Sequence, residues 1–248
     1  MQNNFYFIKS FSNIYRKPSK LSEVTSQIIY GEKFKILSKN KTWIKIKVLS
    51  DNYIGYLENP KYVKKFNSYY KINNLKAKIF KKPGCSTNKW LPFGSKISVV
   101  EENKNYIKIE KNKWIKKKDI TKIFFREKNF VKVFKKFLNV RYVWGGKTYD
   151  GIDCSALLQI FFNYNNLFYP RDTKDQIKYT KKNYKKRKFQ KGDIIFWKGH
   201  VAICLNAKKL IHAYGPAKKV IIMPILETIN RIQRTAKLKV KKVSRIYY

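Results

Sequence analysis

Hydrophobic and polar positions alternate in two different rhythms along this chain. In the first half the period is two. Ile28-Ile-Tyr30 runs into Gly31-Glu32, Phe34-Lys-Ile-Leu37 alternates, and Trp43–Val48 alternates again. A polar turn at Ser50–Asn52 then leads into Tyr53-Ile-Gly-Tyr-Leu57. Brief strands at close spacing predict a small all-β barrel over residues 1–66. The theme returns more faintly in Leu75–Phe80, Pro83-Gly84, Leu91–Gly94, Lys96–Val100, Tyr106–Ile109 and Trp114-Ile115, predicting a second barrel over 67–124.

Beyond that the period changes to that of a helix. Apolar residues at 130, 131, 133, 134, 137 and 138 predict one helix, Phe130–Leu138. Ala156, Leu157, Ile160 and Phe161 mark the face of a second, Cys154–Asn163. Tyr169–Thr173 is a turn whose Asp172 or Thr173 caps a third helix through Tyr179, and Lys181–Lys191 reads as a basic, polar loop. Strands follow at 194–198, 200–205, 209–214, 219–223 and 238–246, with a short helix at Ile225–Arg234. Helices first and an antiparallel sheet after them predict an α+β domain over 125–248.

The chemistry concentrates in this last part. Arg141–Gln159 is a turn rich in Gly and Asp that delivers Cys154 to a helix start, with Asp153 as N-cap. Unpaired backbone N–H groups and the helix dipole there favour a thiolate over a thiol. A buried structural cysteine could share that place. The chain has two histidines: His200 opens an apolar strand and His212 closes the next one. Between them Leu205–Lys208 reads as a hairpin connection, and pairing around Asn206 sets the two imidazoles opposite each other on one face. A cysteine at a helix start, a base, and a group that orients the base make a papain-like arrangement. Zinc held by His200, Cys204 and His212 fails on distance. Four residues of strand span about 13 Å, while ligands of one zinc ion lie within about 4 Å of each other.

Composition narrows the classes. With 248 residues, 44% apolar and 16% aromatic, the chain folds and is long enough for two or three domains. A net charge of +42 points to nucleic acid, an anionic membrane or an acidic substrate. The lysines are spread along the chain, however, and Lys, Asn, Ile, Tyr and Phe are abundant together, which favours compositional drift. No basic helix or aromatic-basic platform is evident, so nucleic acid is not an expected partner. Three cysteines give no disulfide framework and suit a reducing compartment. The start of the chain does not read as a signal peptide and no run is long enough to span a bilayer, so cytoplasmic localisation is expected.

Taken in order, Tyr142-x-Trp-Gly-Gly146, Asp153-Cys-Ser155, Pro170-Arg-Asp172, Lys191-Gly-Asp-Ile-Ile-Phe-Trp197, Gly199-His-Val-Ala-Ile203 and Ile211-His-Ala213 resemble the NlpC family of papain-like cell-wall cysteine peptidases. Ser22-Glu-Val-Thr-Ser-Gln-Ile-Ile-Tyr-Gly-Glu32, Lys41-Thr-Trp-Ile-Lys-Ile46 and Tyr53–Leu57 resemble a bacterial SH3-like domain. The resemblance implies a papain-like catalytic domain behind SH3-like barrels, with Cys154 as nucleophile, His200 as base and His212 as its orienter. It implies hydrolysis of the γ-D-glutamyl bond to a diamino acid in muropeptides bearing free N-terminal L-Ala. It places Tyr142 beside the nucleophile, gives Asp153 and Ser155 contacts to substrate, and makes Glu23 and Tyr53 candidates to hold the free amine. A solvated loop charge is an equally open reading of Glu23. The implied partner is a small peptide, with no cofactor, metal or membrane. Without an export signal such an enzyme recycles muropeptides and does not cut the intact wall. Ala156-Leu157 replaces the family's usual Gly-Leu, and Asn139-Val-Arg141 replaces its Gly-Thr-Pro approach. Two other classes stay open: a catalytically idle SH3-like protein that binds cell-wall peptides, and a basic nucleic-acid-binding protein.

Overall fold

A computed structural model of the chain describes residues 4–180 and 188–246. It divides into two compact units: one runs to Arg126 and takes in Tyr164–Asn166, the other comprises Glu127–Asn163 and Leu167–Tyr248.

In the first unit the period-two segments are strands. Seven form one antiparallel sheet in the order Val24–Ile29, Phe11–Tyr15, Ile54–Glu58, Trp43–Val48, Lys33–Asn40, Asn4–Phe7, Tyr62–Val63. Trp43–Val48 buries alternate residues, as its sequence predicts, and pairs Ile46 with Ile36 on one side and Gly55 on the other. Phe7, Ile14, Ile28, Phe34, Ile44, Ile46, Val48 and Leu57 make the core of this sheet. Each such side chain contributes roughly 1.5–3 kcal/mol by leaving water. The remainder is a five-stranded sheet, from Cys85–Pro92 at one edge to Glu101–Glu102 at the other, and a three-stranded sheet centred on Tyr70–Ile72. Tyr30 joins their core of Ile72, Ala77, Ile79, Leu91, Ile97, Ile107, Ile109 and Ile115.

The sequence predicted two closed barrels; among the described residues no ladder closes. The two-residue strand Tyr62–Val63 pairs only with Asn4–Phe7, leaving Val24–Ile29 as the opposite edge. Strand count and alternation are local properties, whereas closure needs the first and last strands to meet.

Among its described residues the second unit holds four α-helices: α1 (Phe130–Lys136), α2 (Cys154–Tyr164, whose last residue falls in the first unit), α3 (Thr173–Tyr179) and α4 (Ile225–Ala236). The Asn129 side chain caps α1 by accepting from Lys132 N. That helix stops two residues short of its predicted end, ahead of Asn139, whose φ of 66° is incompatible with continuing it. The sheet is antiparallel in the order Lys219–Pro224, Lys209–Tyr214, His200–Cys204, Asp193–Trp197, Lys242–Arg245. Ile225 and Ile232 of α4 pack with Ile195, Trp197, Ala202, Cys204, Leu210, Tyr214 and Met223 from one face of this sheet. Of the predicted basic loop, residues 181–187 lie outside the described residues.

Candidate active site

The turn before α2 is held by its own backbone and one buried ion pair. Tyr142 bridges to Ile152, and Lys147–Thr148 pairs with Gly151–Ile152. At Gly146 a Cβ would stand 2.4 Å from the carbonyl oxygen of Gly151, so only glycine fits. Asp153 then caps α2: its Oδ1 accepts from Ala156 N at 2.8 Å and from the Ser155 hydroxyl at 3.1 Å. Oδ2 accepts from Gly145 N at 3.0 Å.

Arg171 completes the arrangement. Its guanidinium meets the Asp153 carboxylate in a two-pronged pair, Nη1 to Oδ1 at 3.0 Å and Nη2 to Oδ2 at 2.7 Å. Nη1 also donates to Ser155 Oγ at 2.9 Å, and Nη2 to Gly146 O at 3.3 Å. Both side chains are buried, at 1% and 6% exposure. Gln176 of α3 donates to Ser155 O and Pro170 O, each at 2.9 Å, fastening the start of α3 to the start of α2. The predicted capping role of Asp153 is met, and both its oxygens are engaged by protein donors.

Cys154 is the first residue of α2 and 5% exposed. Its Sγ stands 4.0 Å from Gly199 O, the residue before His200. The N–H of Val201 and the hydroxyl of Thr173 favour the charged form of the sulfur. The helix start was expected to favour the thiolate. Instead burial, seconded by the Asp153 charge, pushes the thiol up to about 12, against the smaller opposing effects of Val201, Thr173 and Arg171. The sulfur at rest is therefore a protonated thiol.

His200 Nε2 lies 2.9 Å from His212 Nδ1. The hairpin differs from its predicted register: Ile203 faces Ile211 and Cys204 faces Leu210, two residues away from pairing around Asn206. Asn206 Oδ1 accepts from both Lys208 N and Lys209 N, which sets the turn. An even shift keeps each side chain on its face, so the imidazoles still meet, diagonally. Tyr214 stacks on His212 with ring centroids 4.6 Å apart and planes 11° from parallel. Burial pushes His200 down to about 4, and burial with the neighbouring His200 pushes His212 well below the ordinary histidine range, so both rings are neutral near pH 7. Among the described residues no hydrogen bond joins Sγ to either ring; the sulfur contacts the His200 strand through its backbone. Catalytic hydrogen bonds often tighten only once substrate is bound.

The other predicted residues divide by unit. Tyr142 is partly buried, and burial, with smaller effects of the Cys154 and Asp153 charges, raises its phenol. Glu23 and Tyr53 belong to the first unit. There Glu23 Oε2 pairs with Arg16 at 2.9 Å, and the Tyr53 hydroxyl donates to Thr25 O at 3.4 Å. Arg171 and Gln176 received no role in the site from the sequence, and Thr173 only that of a candidate helix cap. The Pro-Arg-Asp motif pointed to the first of them.

Residues 139–237 match the model of the NlpC/P60 family. The chain carries an NlpC/P60 domain. Residues 14–60 match the bacterial dipeptidyl-peptidase SH3 domain. Dipeptidyl-peptidase 6 of Lysinibacillus sphaericus is 24% identical, over 85% of this chain and 87% of its own length. A γ-D-glutamyl-L-lysine dipeptidyl-peptidase of Bacillus subtilis is 22% identical over 83% of this chain and 77% of its own. In fold, the chain is similar to a crystal structure of an NlpC/P60 family protein from Bacillus cereus, with a TM-score of 0.82, 19% identity, and coverage of 98% of this chain and 99% of that one. The chain is thus homologous to dipeptidyl-peptidases of the NlpC/P60 family, and it is a cysteine peptidase. No helix among the described residues is long and apolar enough to cross a membrane.

Proposed function

We propose that this NlpC/P60 peptidase hydrolyses the γ-D-glutamyl bond to a diamino acid in small muropeptides that carry free N-terminal L-Ala. The observation that carries the reading is the His200–His212 contact of 2.9 Å on the strand whose Gly199 carbonyl meets the Cys154 sulfur. The sequence motifs and the names of the relatives in Lysinibacillus and Bacillus support it.

In this mechanism His200 takes the proton of the Cys154 thiol as the sulfur attacks the amide carbonyl, which gives a tetrahedral oxyanion. The Cys154 N–H, at a helix start, and the Tyr142 phenol are the donors for that oxyanion. His200 returns the proton to the leaving amine and a thioester remains. The same ring then takes a proton from water, which attacks the thioester and regenerates the thiol. His212 holds the His200 ring in place and stabilises its charged form. Asp153 and Ser155 shape the cleft wall beside the nucleophile.

Glu23 and Tyr53 hold the substrate ammonium in this reading. An exposed ion pair such as Arg16–Glu23 contributes only about 0–1 kcal/mol, so a bound ammonium displaces the arginine at little cost. The organisation that goes with it is an SH3-like domain over 1–66, a second over 67–124 and the peptidase over 125–248. Cys85, Cys154 and Cys204 are free thiols, and the reading places the enzyme in the cytoplasm, recycling muropeptides. Cleavage of L-Ala-γ-D-Glu-diaminopimelate is compared with that of its N-acetylated form, for the natural chain and for Glu23→Gln. Loss of cleavage on acetylation and a raised KM in Glu23→Gln are expected. Equal rates on the two peptides refute the free-amine reading, and full turnover by Cys154→Ala refutes the peptidase mechanism.

A further inference from the structure

The mechanism needs a lone pair on the His200 nitrogen that does not face His212, yet a pair of neutral imidazoles can share one hydrogen bond in either direction. In one, His200 Nε2–H donates to His212 Nδ1, and His200 Nδ1 is basic. In the other, His212 Nδ1–H donates, and His200 Nδ1 carries the hydrogen and cannot act as a base. Each neutral ring has one N–H and one lone pair, so the remaining nitrogen of His212 decides between them.

That nitrogen, His212 Nε2, lies 3.4 Å from the sulfur of Met223. A thioether has no hydrogen to give and accepts weakly. An N–H on Nε2 is therefore attracted to the sulfur, whereas a lone pair there faces the lone pairs of sulfur. With the hydrogen on Nε2, Nδ1 of His212 is the acceptor, His200 Nε2 must donate across the 2.9 Å contact, and the lone pair falls on His200 Nδ1. Strand register makes the row possible. His212 pairs with Ile221 and Leu210 with Met223, so Met223 is two residues along on the same face as His212. The methionine is 7% exposed, so water is not a ready substitute for its sulfur.

We propose that Met223 is a positioning residue: its sulfur fixes the tautomer of His212 and, through it, puts the basic nitrogen of the pair at His200 Nδ1. The proposal rests on the reading of His200 as the base, and it is tested by a measurement that does not need turnover. Imidazole ¹⁵N spectra of the full chain near pH 7 are expected to show protonated Nε2 and unprotonated Nδ1 in both histidines. In Met223→Leu the two tautomers mix toward equal populations, so about half the molecules hold the base correctly and kcat falls about two-fold, with KM unchanged. Met223→norleucine, which replaces only the sulfur by CH₂, gives the same result without disturbing the packing. A natural protein with protonated Nδ1 on His212 overturns the proposal, and so does a norleucine variant that keeps one tautomer and full kcat. The expected spectra in a protein that cleaves no peptide uphold the tautomer assignment and count only against the peptidase reading.

Discussion

Removing the guanidinium of Arg171 is the severest single test of how the NlpC/P60 turn is built. Arg171→Met keeps the length and apolar stem of the side chain and deletes four donor contacts: two to Asp153, one to Ser155 Oγ and one to Gly146 O. The Asp153 carboxylate stays buried with donors from Gly145, Ser155 and Ala156, which soften its loss without neutralising it. Breaking a buried pair from one side costs about 3–5 kcal/mol. The surviving donors put this case toward the lower end, near 3 kcal/mol. At about 4 °C per kcal/mol for a unit of this size, calorimetry is expected to show its transition falling by roughly 12 °C. Asp153→Asn combined with Arg171→Met removes both charges, and the double variant is expected to lose at least about 1 kcal/mol less than the two single losses added. A single-variant cost below about 1 kcal/mol, or strict additivity, refutes the claim that this pair holds the turn.

Other outcomes follow from the same site. His200 is needed neutral as a base and is held down to about 4, so kcat/KM is expected to stay level through neutrality and fall only as pH approaches that value. A midpoint near the ordinary histidine value of about 6.5 counts against the depressed, neutral ring. With the Cys154 thiol pushed up to about 12, alkylation by iodoacetamide is expected to be slow at pH 7 and to accelerate as pH rises. Rapid, pH-independent alkylation reveals a standing thiolate instead. Gly146→Ala drives a methyl against the Gly151 carbonyl and is expected to cost about 1–3 kcal/mol in urea unfolding. An unchanged midpoint contradicts the crowding at that turn.

Much of this was legible in the sequence because it depends on local rules. Cys154 opens α2 where Asp153 caps it, and the two histidines lie on neighbouring strands because alternation fixes which face each residue takes. The two-residue register shift was not legible, since Asn206 sets it through the turn, but its even size spared the conclusion. Barrel closure was expected and not found for another reason: nothing in a strand of Tyr62–Val63 says how far it reaches across space. Thiol ionisation was misjudged because position at a helix start is visible in the sequence and depth of burial is not. Arg171 lay in a motif the sequence does show, but its partner was not legible: among 57 Lys and Arg residues nothing marks which cation meets Asp153 until the two are seen bonded.

The three thiols have a practical corollary for anyone designing covalent inhibitors. Cys85 is exposed while Cys154 and Cys204 are buried, so a small indiscriminate electrophile marks a bystander before it reaches the nucleophile. Occupancy measured by total labelling thus overstates inhibition. Selectivity has to come from a warhead carried on a peptide-shaped scaffold, with Cys85→Ser as the background for counting adducts.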